Sequence, residues 1–133
     1  MSSRGRKRLS IAGVLAIHKK LLGRYGGRSS EVDMAKLELA MMLAPHGKRR
    51  ARRGSQYAWR ILKGRPFAEG NSRMALAVLL TFLEMNGVPW HSSEVEETVM
   101  VQEAAAGRIT EAEWEAWVLS KMGKQRRAVA ARK

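Results

Sequence analysis

The sequence predicts an all-α protein, a compact bundle of about six helices around a central buried helix at about residues 71–86. Three observations support this fold class. The most apolar run, LAVLLTFLEMNG, begins at Leu76 and is apolar on nearly every side of a helix. Apolar residues elsewhere recur at helical spacing, and capping signals precede several of these segments. No strand-like alternation flanks the Asn-Gly pair at 86–87.

The first two predicted helices begin at polar capping residues. Ser10 can cap a helix over residues 11–24, whose apolar residues recur at i, i+3/i+4 and i+7. Ser30 with Asp33 resembles a capping box for a second helix over about 31–43. The residues that end these helices are Gly26, Gly27 and Pro45.

The third and fourth predicted helices lie on either side of a glycine- and proline-containing loop. The segment HGKRRARRGS at 46–55 is too charged for a core, so the third helix is placed at about 54–63, ending at Gly64. The fourth helix, at about 71–86, is expected to be surrounded by other helices because its apolar residues cover nearly every side.

The last two predicted helices each follow a capping box, in which a Ser or Thr precedes an acid by three residues. The first covers about residues 94–106 and the second about 111–122. The capping pairs are Ser93 with Glu96 and Thr110 with Glu113.

The positive charge is concentrated outside the predicted core. Of 133 residues, 25 are basic and 12 acidic, for a net charge of +13. Three stretches hold 14 of the 25 basic residues and none of the 12 acidic ones, which leaves 11 basic against 12 acidic elsewhere. We therefore predict a basic N-terminal arm at 1–9, a single helical domain at 10–123 and a basic C-terminal tail at 124–133.

The middle basic cluster is a candidate contact for nucleic acid or for an acidic protein segment. It alone has aromatic residues close by, Tyr57 and Trp59. The alternative is a set of solvated charges that keep the protein soluble. The cluster consists of Lys48, Arg49, Arg50, Arg52 and Arg53.

Several site types and settings find no support in the composition. The chain has no cysteine, which suits a reducing cytoplasm and excludes disulfides and thiolate zinc sites. The histidines His18, His46 and His91 show no i, i+4 pair, which disfavours a histidine metal site. No run approaches the ~20 apolar residues that span a membrane, so no membrane partner is expected.

A candidate anion site precedes the apolar helix, in GRPFAEGNSRMA at residues 64–75. A helix N-terminus attracts phosphate through its unpaired N–H groups and its dipole. Gly70 allows close approach of the backbone, Asn71 can cap the helix and Arg73 can grip an anion. Glu69 would be repelled by phosphate alone but is compatible with an intervening Mg²⁺. The alternative is a plain turn that caps a core helix.

Residues 64–87, GRPFAEGNSRMALAVLLTFLEMNG, resemble the signature of the Fic/Doc family, especially the short Doc (death-on-curing) toxins, whose motif reads roughly HxFx(D/E)(G/A)NKR. Three further segments resemble helices of that family in the same order: IHKKLLGRYGG, DMAKLELAMMLAPHG and AAAGRITEAEWEAWV. The similarity covers roughly residues 11–120 and so extends over the whole predicted domain.

The resemblance implies an all-α domain that uses ATP and Mg²⁺ to transfer a phosphate or a nucleotidyl group to a protein hydroxyl. Doc-type members resemble kinases of a translation elongation factor, and an antitoxin holds them inactive. The implied partners are therefore an elongation factor as target and a Phd-like antitoxin with an acidic segment. Phe67 matches the core-anchoring aromatic, Glu69 the Mg²⁺-binding acid, Gly70 and Asn71 the anion-binding turn, and Arg73 the phosphate-gripping arginine.

Two positions depart from the motif. Arg65 stands at the position of the histidine, the family's general base, and Ser72 at that of the Doc lysine. Arginine has a pKa above ~12 and cannot accept a proton near neutral pH. Loss of a positioned base removes about 10²- to 10⁴-fold in rate. The Ser72 hydroxyl can still donate a hydrogen bond to phosphate. We therefore expect a Doc-like domain whose transfer activity is impaired or lost.

Two alternatives stay open at this point. The chain is an active transferase if Glu69, His18 or His91 serves as a substitute base. It is instead a nucleic-acid-binding protein if the Doc-like core is only a scaffold for the basic clusters, in which case binding should depend strongly on salt.

Overall fold

The computed structural model describes residues 9–26, 31–43 and 50–123. Within these residues the chain forms six helices and no strand, which confirms the all-α class. The helices are α1 (Ile11–Tyr25), α2 (Met34–Leu43), α3 (Arg50–Gly64), α4 (Asn71–Met85), α5 (Glu94–Ala105) and α6 (Glu111–Lys121). None of these helices is long and apolar enough to cross a membrane. The predicted basic arm, apart from Leu9, and the predicted basic tail lie outside the described residues.

Four helices have the bounds predicted from their caps to within one residue: α1, α4, α5 and α6. Ser10 Oγ accepts a hydrogen bond from the Gly13 amide at 3.0 Å, as an N-cap does. Thr110 and Glu113 form the complete reciprocal capping box at the start of α6. The local capping sequences therefore fixed the starts of α1, α5 and α6, whereas α4 begins after Gly70 without a side-chain cap.

The capping box predicted at the start of α5 forms only in part. The Ser93 side chain accepts from the Glu96 amide at 3.1 Å. The Glu96 carboxylate, however, accepts from Trp117 Nε1 at 2.9 Å and pairs with Lys121 Nζ at 2.7 Å. This acid therefore joins α5 to α6, and its tertiary partners replace the reciprocal bond of the box.

Helix α2 begins later than predicted, at Met34, so the predicted start at residue 31 is wrong. Asp33 caps this helix, because its Oδ1 accepts from the Lys36 amide at 3.1 Å. Residues 31–33 instead pair with the loop before α4: the Asp33 amide donates to Pro66 O at 2.7 Å, and the Ala68 amide to Glu31 O at 3.1 Å. A tertiary contact thus replaced the first predicted turn of the helix.

Helix α3 begins earlier than predicted, at Arg50, so it contains much of the charged segment. The predicted boundary, Gly54, lies inside the helix and is buried. A Cβ at Gly54 would lie 3.2 Å from side-chain carbons of both Leu79 and Phe82. The glycine is therefore the residue that lets α3 approach α4 closely.

The centre of the bundle is shared by α3 and α4. Helix α4 packs against α1, α3 and α5, whereas α3 packs against α2, α4, α5 and α6. Leu76 and Leu80 on α4 are only half-buried, so this side of α4 is less enclosed than its apolar run predicts. The buried apolar residues of α4 are Met74, Ala75, Val78, Leu79, Phe82 and Leu83.

Candidate anion site at the start of α4

The loop between α3 and α4 contains two residues in left-handed backbone conformations. Arg65, directly after α3, has φ 51° and donates its amide to Ile61 O at 3.0 Å, which closes the helix. A non-glycine residue in this region costs roughly 1–2 kcal/mol. Gly70 is the N-cap of α4 with φ 81° and ψ 22°. The chain therefore turns sharply at both ends of this loop.

Asn71 fixes the loop rather than capping the helix, so its predicted capping role is wrong. The side chain is buried, and its Oδ1 accepts from the Phe67 amide at 3.0 Å. Its Nδ2 donates to Phe67 O at 2.8 Å. The carboxamide thus satisfies both backbone groups of Phe67, because it faces inwards across the loop.

The start of α4 carries no side-chain cap. The first N–H groups of a helix have no acceptor within the helix, and the dipole makes this end positive. Helices α1, α5 and α6 each have a Ser or Thr oxygen as acceptor at the same place. Because Gly70 also lacks a side chain, a ligand can approach the first turn of α4 without steric obstruction from a Cβ.

A small cavity of about 70 Å³ lies between the start of α4 and helix α1. One water molecule needs roughly 10–15 Å³ of such volume, so the cavity has room for a phosphate-sized group. Sites for drug-sized ligands have about 300–1,000 Å³, and a whole nucleotide would not fit inside. The cavity is lined by His18, Leu21, Leu22, Gly26, Glu69, Gly70, Arg73 and Met74.

The structure thus brings Glu69, Gly70 and Arg73 of the predicted site to one cavity. The Arg73 guanidinium carbon lies 4.2 Å from the centre of the Tyr25 ring, a cation–π contact with the last residue of α1. Tyr25 therefore restricts the arginine at the edge of the cavity. The helical pattern of residues 11–24 does not predict this contact, because it depends on how α1 crosses α4.

His18 reaches the same cavity from α1. Only 6% of its surface is exposed, and its Nε2 atom is buried without a hydrogen-bond partner. Its ring lies against that of Phe67, with the ring centres 4.3 Å apart. Burial lowers the pKa of His18 below its ordinary value, which favours the neutral imidazole at neutral pH.

Arg65 does not line this cavity, although the resemblance places it at the position of the motif histidine. Its exposed side chain lines a neighbouring cleft of about 350 Å³ together with Glu31, Asp33 and the loop residues 66–68. Phe67 belongs to that cleft and also contacts His18. Two separate concavities therefore lie on either side of the loop. Ser72 is half-buried and lines neither of them.

Among the described residues that line the cavity, Glu69 supplies the one carboxylate. Across the described part of the chain, no group of three or more His, Asp or Glu side chains is arranged to hold a metal ion. Mg²⁺ is commonly held by one or two carboxylates together with phosphate oxygens and water. Glu69 fits that mode, in which the metal would arrive with a phosphate ligand.

The middle basic cluster is only partly described. Lys48 and Arg49 lie outside the described residues, and Arg50 is described by its backbone alone. Arg52 forms an ion pair with Glu115 of α6, and Arg53 is half-buried. The nearby aromatics are both buried, Tyr57 with 4% and Trp59 with 9% of the surface exposed. These two rings are therefore not available for stacking on nucleic-acid bases.

No protein-family model matches the chain, and none of the curated proteins compared with it is a match. The resemblance to the Fic/Doc family therefore rests on the residues of the chain alone.

Proposed function

We propose that the chain is a Doc-like domain that binds a phosphate group of ATP at the start of α4. The observation that carries this proposal is the cavity at the uncapped N-terminus of α4, which Gly70, Arg73 and Glu69 line together. Helix N–H groups and a guanidinium are complementary to phosphate oxygens. In this proposal Glu69 would hold a Mg²⁺ ion, which would supply positive charge beside the phosphate group.

The size of the cavity limits what it would hold. A volume of about 70 Å³ accommodates one phosphate group, so the base and ribose of a nucleotide would lie outside, across the surface of α1 and α4. We propose a site for a terminal phosphate group rather than an enclosed nucleotide pocket.

Transfer of that group to a protein hydroxyl is proposed to be impaired. Arg65 stands where the resemblance requires the general base, and it cannot accept the proton of the attacking hydroxyl. The target class implied by the resemblance is a translation elongation factor, and the implied inhibitor is a Phd-like antitoxin with an acidic segment. Both remain proposals that labelling and binding assays test.

A second candidate function is an active transferase in which His18 serves as the base. The observation in its favour is that His18 lines the cavity, while Arg65 lines the neighbouring cleft. The lowered pKa keeps the imidazole in the neutral form that accepts protons. His91, the other histidine considered as a substitute base, does not line the cavity.

Transfer of label from γ- or α-labelled ATP to an elongation factor separates these functions. If transfer is impaired, the native chain gives little labelled product, and Arg65→His increases it. If His18 is the base, the native chain labels its target and His18→Gln abolishes labelling while Arg65→His changes little. The labelled position distinguishes phosphate from nucleotidyl transfer.

The binding step is tested with Arg73→Ala and a matched control, Arg24→Ala. Both arginines lie near the Tyr25 ring, but only Arg73 lines the cavity. Loss of a charge-assisted hydrogen bond weakens binding by about 10- to 100-fold, so Arg73→Ala should raise the dissociation constant for Mg-ATP by that factor. Arg24→Ala should change it less than threefold. Equal effects would show that only the general positive charge matters.

A further inference from the structure

The buried imidazole of His18, a residue that lines the cavity, has an unused hydrogen-bonding atom. More than about 90% of buried polar groups in native proteins have a hydrogen-bond partner, so an exception calls for a specific cause. His18 Nε2 is such an exception, in a side chain with 6% of its surface exposed. An unsatisfied buried donor costs about 1–3 kcal/mol. A ligand in the cavity would supply the missing partner.

The surroundings of His18 hold the ring in place. The ring of Phe67 lies 4.3 Å away, and the backbone of Phe67 is bound at both its N–H and C=O groups by Asn71. Asn71 is in turn the first residue of α4. The loop that orients His18 is therefore the same loop that forms the start of α4.

The charged groups around the cavity fit the phosphate group better than they fit a cation alone. Arg73 and the start of α4 supply positive charge or partial charge, and Glu69 supplies the only carboxylate among the described residues that line the cavity. His18 lies on α1, whereas Glu69 and Arg73 lie at the start of α4. A phosphate group at the start of α4 would then be contacted from two helices.

We infer that His18 binds the phosphate group directly, with its Nε2–H donating a hydrogen bond to a phosphate oxygen. This inference rests on the proposed function and adds a specific ligand-binding residue that lies outside the motif at residues 64–75. It also defines the ligand as a terminal phosphate group, which inorganic phosphate, a phosphate monoester and a nucleoside triphosphate all present. The helix donors, Arg73 and His18 would together surround that group.

The test is a titration of the full chain with inorganic phosphate, observed through the imidazole nitrogens by long-range ¹H–¹⁵N NMR. We expect the His18 nitrogens to shift with the same dissociation constant as the backbone amides of residues 70–73. His91, which does not line the cavity, is the internal control and should not shift in this way. A merely structural histidine would not report phosphate binding with that affinity.

Two variants give an independent measure. His18→Leu removes the donor, whereas His18→Gln retains an amide N–H donor in a side chain of similar length. We expect phosphate affinity to fall about 10- to 100-fold in His18→Leu and to be largely restored in His18→Gln. Thermal unfolding of both variants checks that they fold, and the NMR titration of the native chain does not depend on them.

The outcomes separate the inference from the function on which it rests. If phosphate binds at residues 70–73 but the His18 nitrogens do not shift, the inference is wrong and the proposed function stands. If no phosphate, AMP or ATP binds there, both are wrong. Comparison of the three ligands then identifies the source of the phosphate: equal affinities indicate recognition of the phosphate group alone, and tighter binding of ATP indicates further contacts outside the cavity.

Discussion

At the residue scale, the candidate anion site depends on a few residues. Some are neighbours in sequence, and the others come close only through helix packing. Glu69, Gly70 and Arg73 are neighbours along the chain, so their common position at the start of α4 follows from the helix boundary. His18 and Tyr25 reach them only because α1 packs against α4. The motif therefore predicts the α4 side of the cavity, and tertiary packing supplies the α1 side.

Replacement of Asn71 tests whether its side chain fixes the loop. Asn71→Ala leaves the Phe67 amide and carbonyl without their partner in a buried setting. Each buried group left unsatisfied costs about 1–3 kcal/mol, so we expect a loss of about 2–4 kcal/mol in the free energy of unfolding, measured with urea. The neighbouring Ser72→Ala is the control and should change the free energy of unfolding by less than about 0.5 kcal/mol. A similar small loss in both variants would contradict the role of Asn71.

The pH dependence of stability reports on the buried His18. Burial lowers its pKa in the folded state, whereas the unfolded chain has the ordinary value of 6.5. The unfolded state therefore binds more protons than the folded state below pH 6.5. The contribution of His18 to stability is present above that pH and is lost as the pH falls through the folded-state pKa. One proton changes the free energy of unfolding by at most about 1.4 kcal/mol per pH unit.

We expect His18→Gln to reduce the slope of the free energy of unfolding against pH on the acid side. The measurement is urea unfolding between pH 4 and 8. At pH 8 the histidine is neutral in both the folded and the unfolded state, so the comparison there isolates the packing effect of the substitution. An unchanged slope in the variant would mean that His18 titrates alike in both states.

At the element scale, local sequence signals predict a helix where no distant contact competes with them. The caps Ser10 and Thr110 fixed the starts of α1 and α6 because each oxygen bonds to an amide three residues away. The start of α2 was mispredicted because residues 31–33 pair with the loop at 66–68, which is distant in sequence. Capping patterns carry no information about such a pairing.

The start of α3 was mispredicted for a different reason. A run of basic residues was interpreted as a loop, and Gly54 as its end. In the structure the helix begins at Arg50, within the basic run, and Gly54 packs against α4. A glycine that marks a helix boundary and one that admits a neighbouring helix look alike in a single sequence, so only the packing distinguishes them.

Enlarging Gly54 tests the close approach of α3 and α4. A Cβ there lies 3.2 Å from carbons of Leu79 and Phe82, so Gly54→Leu has no room despite the better helix propensity of leucine. Overpacking of this kind costs typically about 1–3 kcal/mol, and we expect a loss of that size in the free energy of unfolding. Gly64→Ala on the same helix is the control, because nothing lies within 4 Å of a Cβ there. Equal stability of the Leu variant and the native protein would contradict the packing account.

At the scale of the whole molecule, the bundle separates a packed centre from a cavity at the junction of α1 and α4. The centre is formed by α3 and α4, and α4 also provides the start that lines the cavity. A largely buried core helix therefore supports the candidate anion site. The all-α class and most helix bounds were predictable from periodicity and caps, whereas the cavity was not, because its lining comes from residues about 50 apart along the chain.

The central claim is that the start of α4 binds a phosphate group, and a ¹H–¹⁵N amide titration with inorganic phosphate tests it most directly. We predict saturable shifts at residues 70–73. The start of α6, where Thr110 and Glu113 occupy the capping positions, should give no saturable shift. Absence of saturable shifts at residues 70–73, or equal shifts at the start of α6, would contradict the claim.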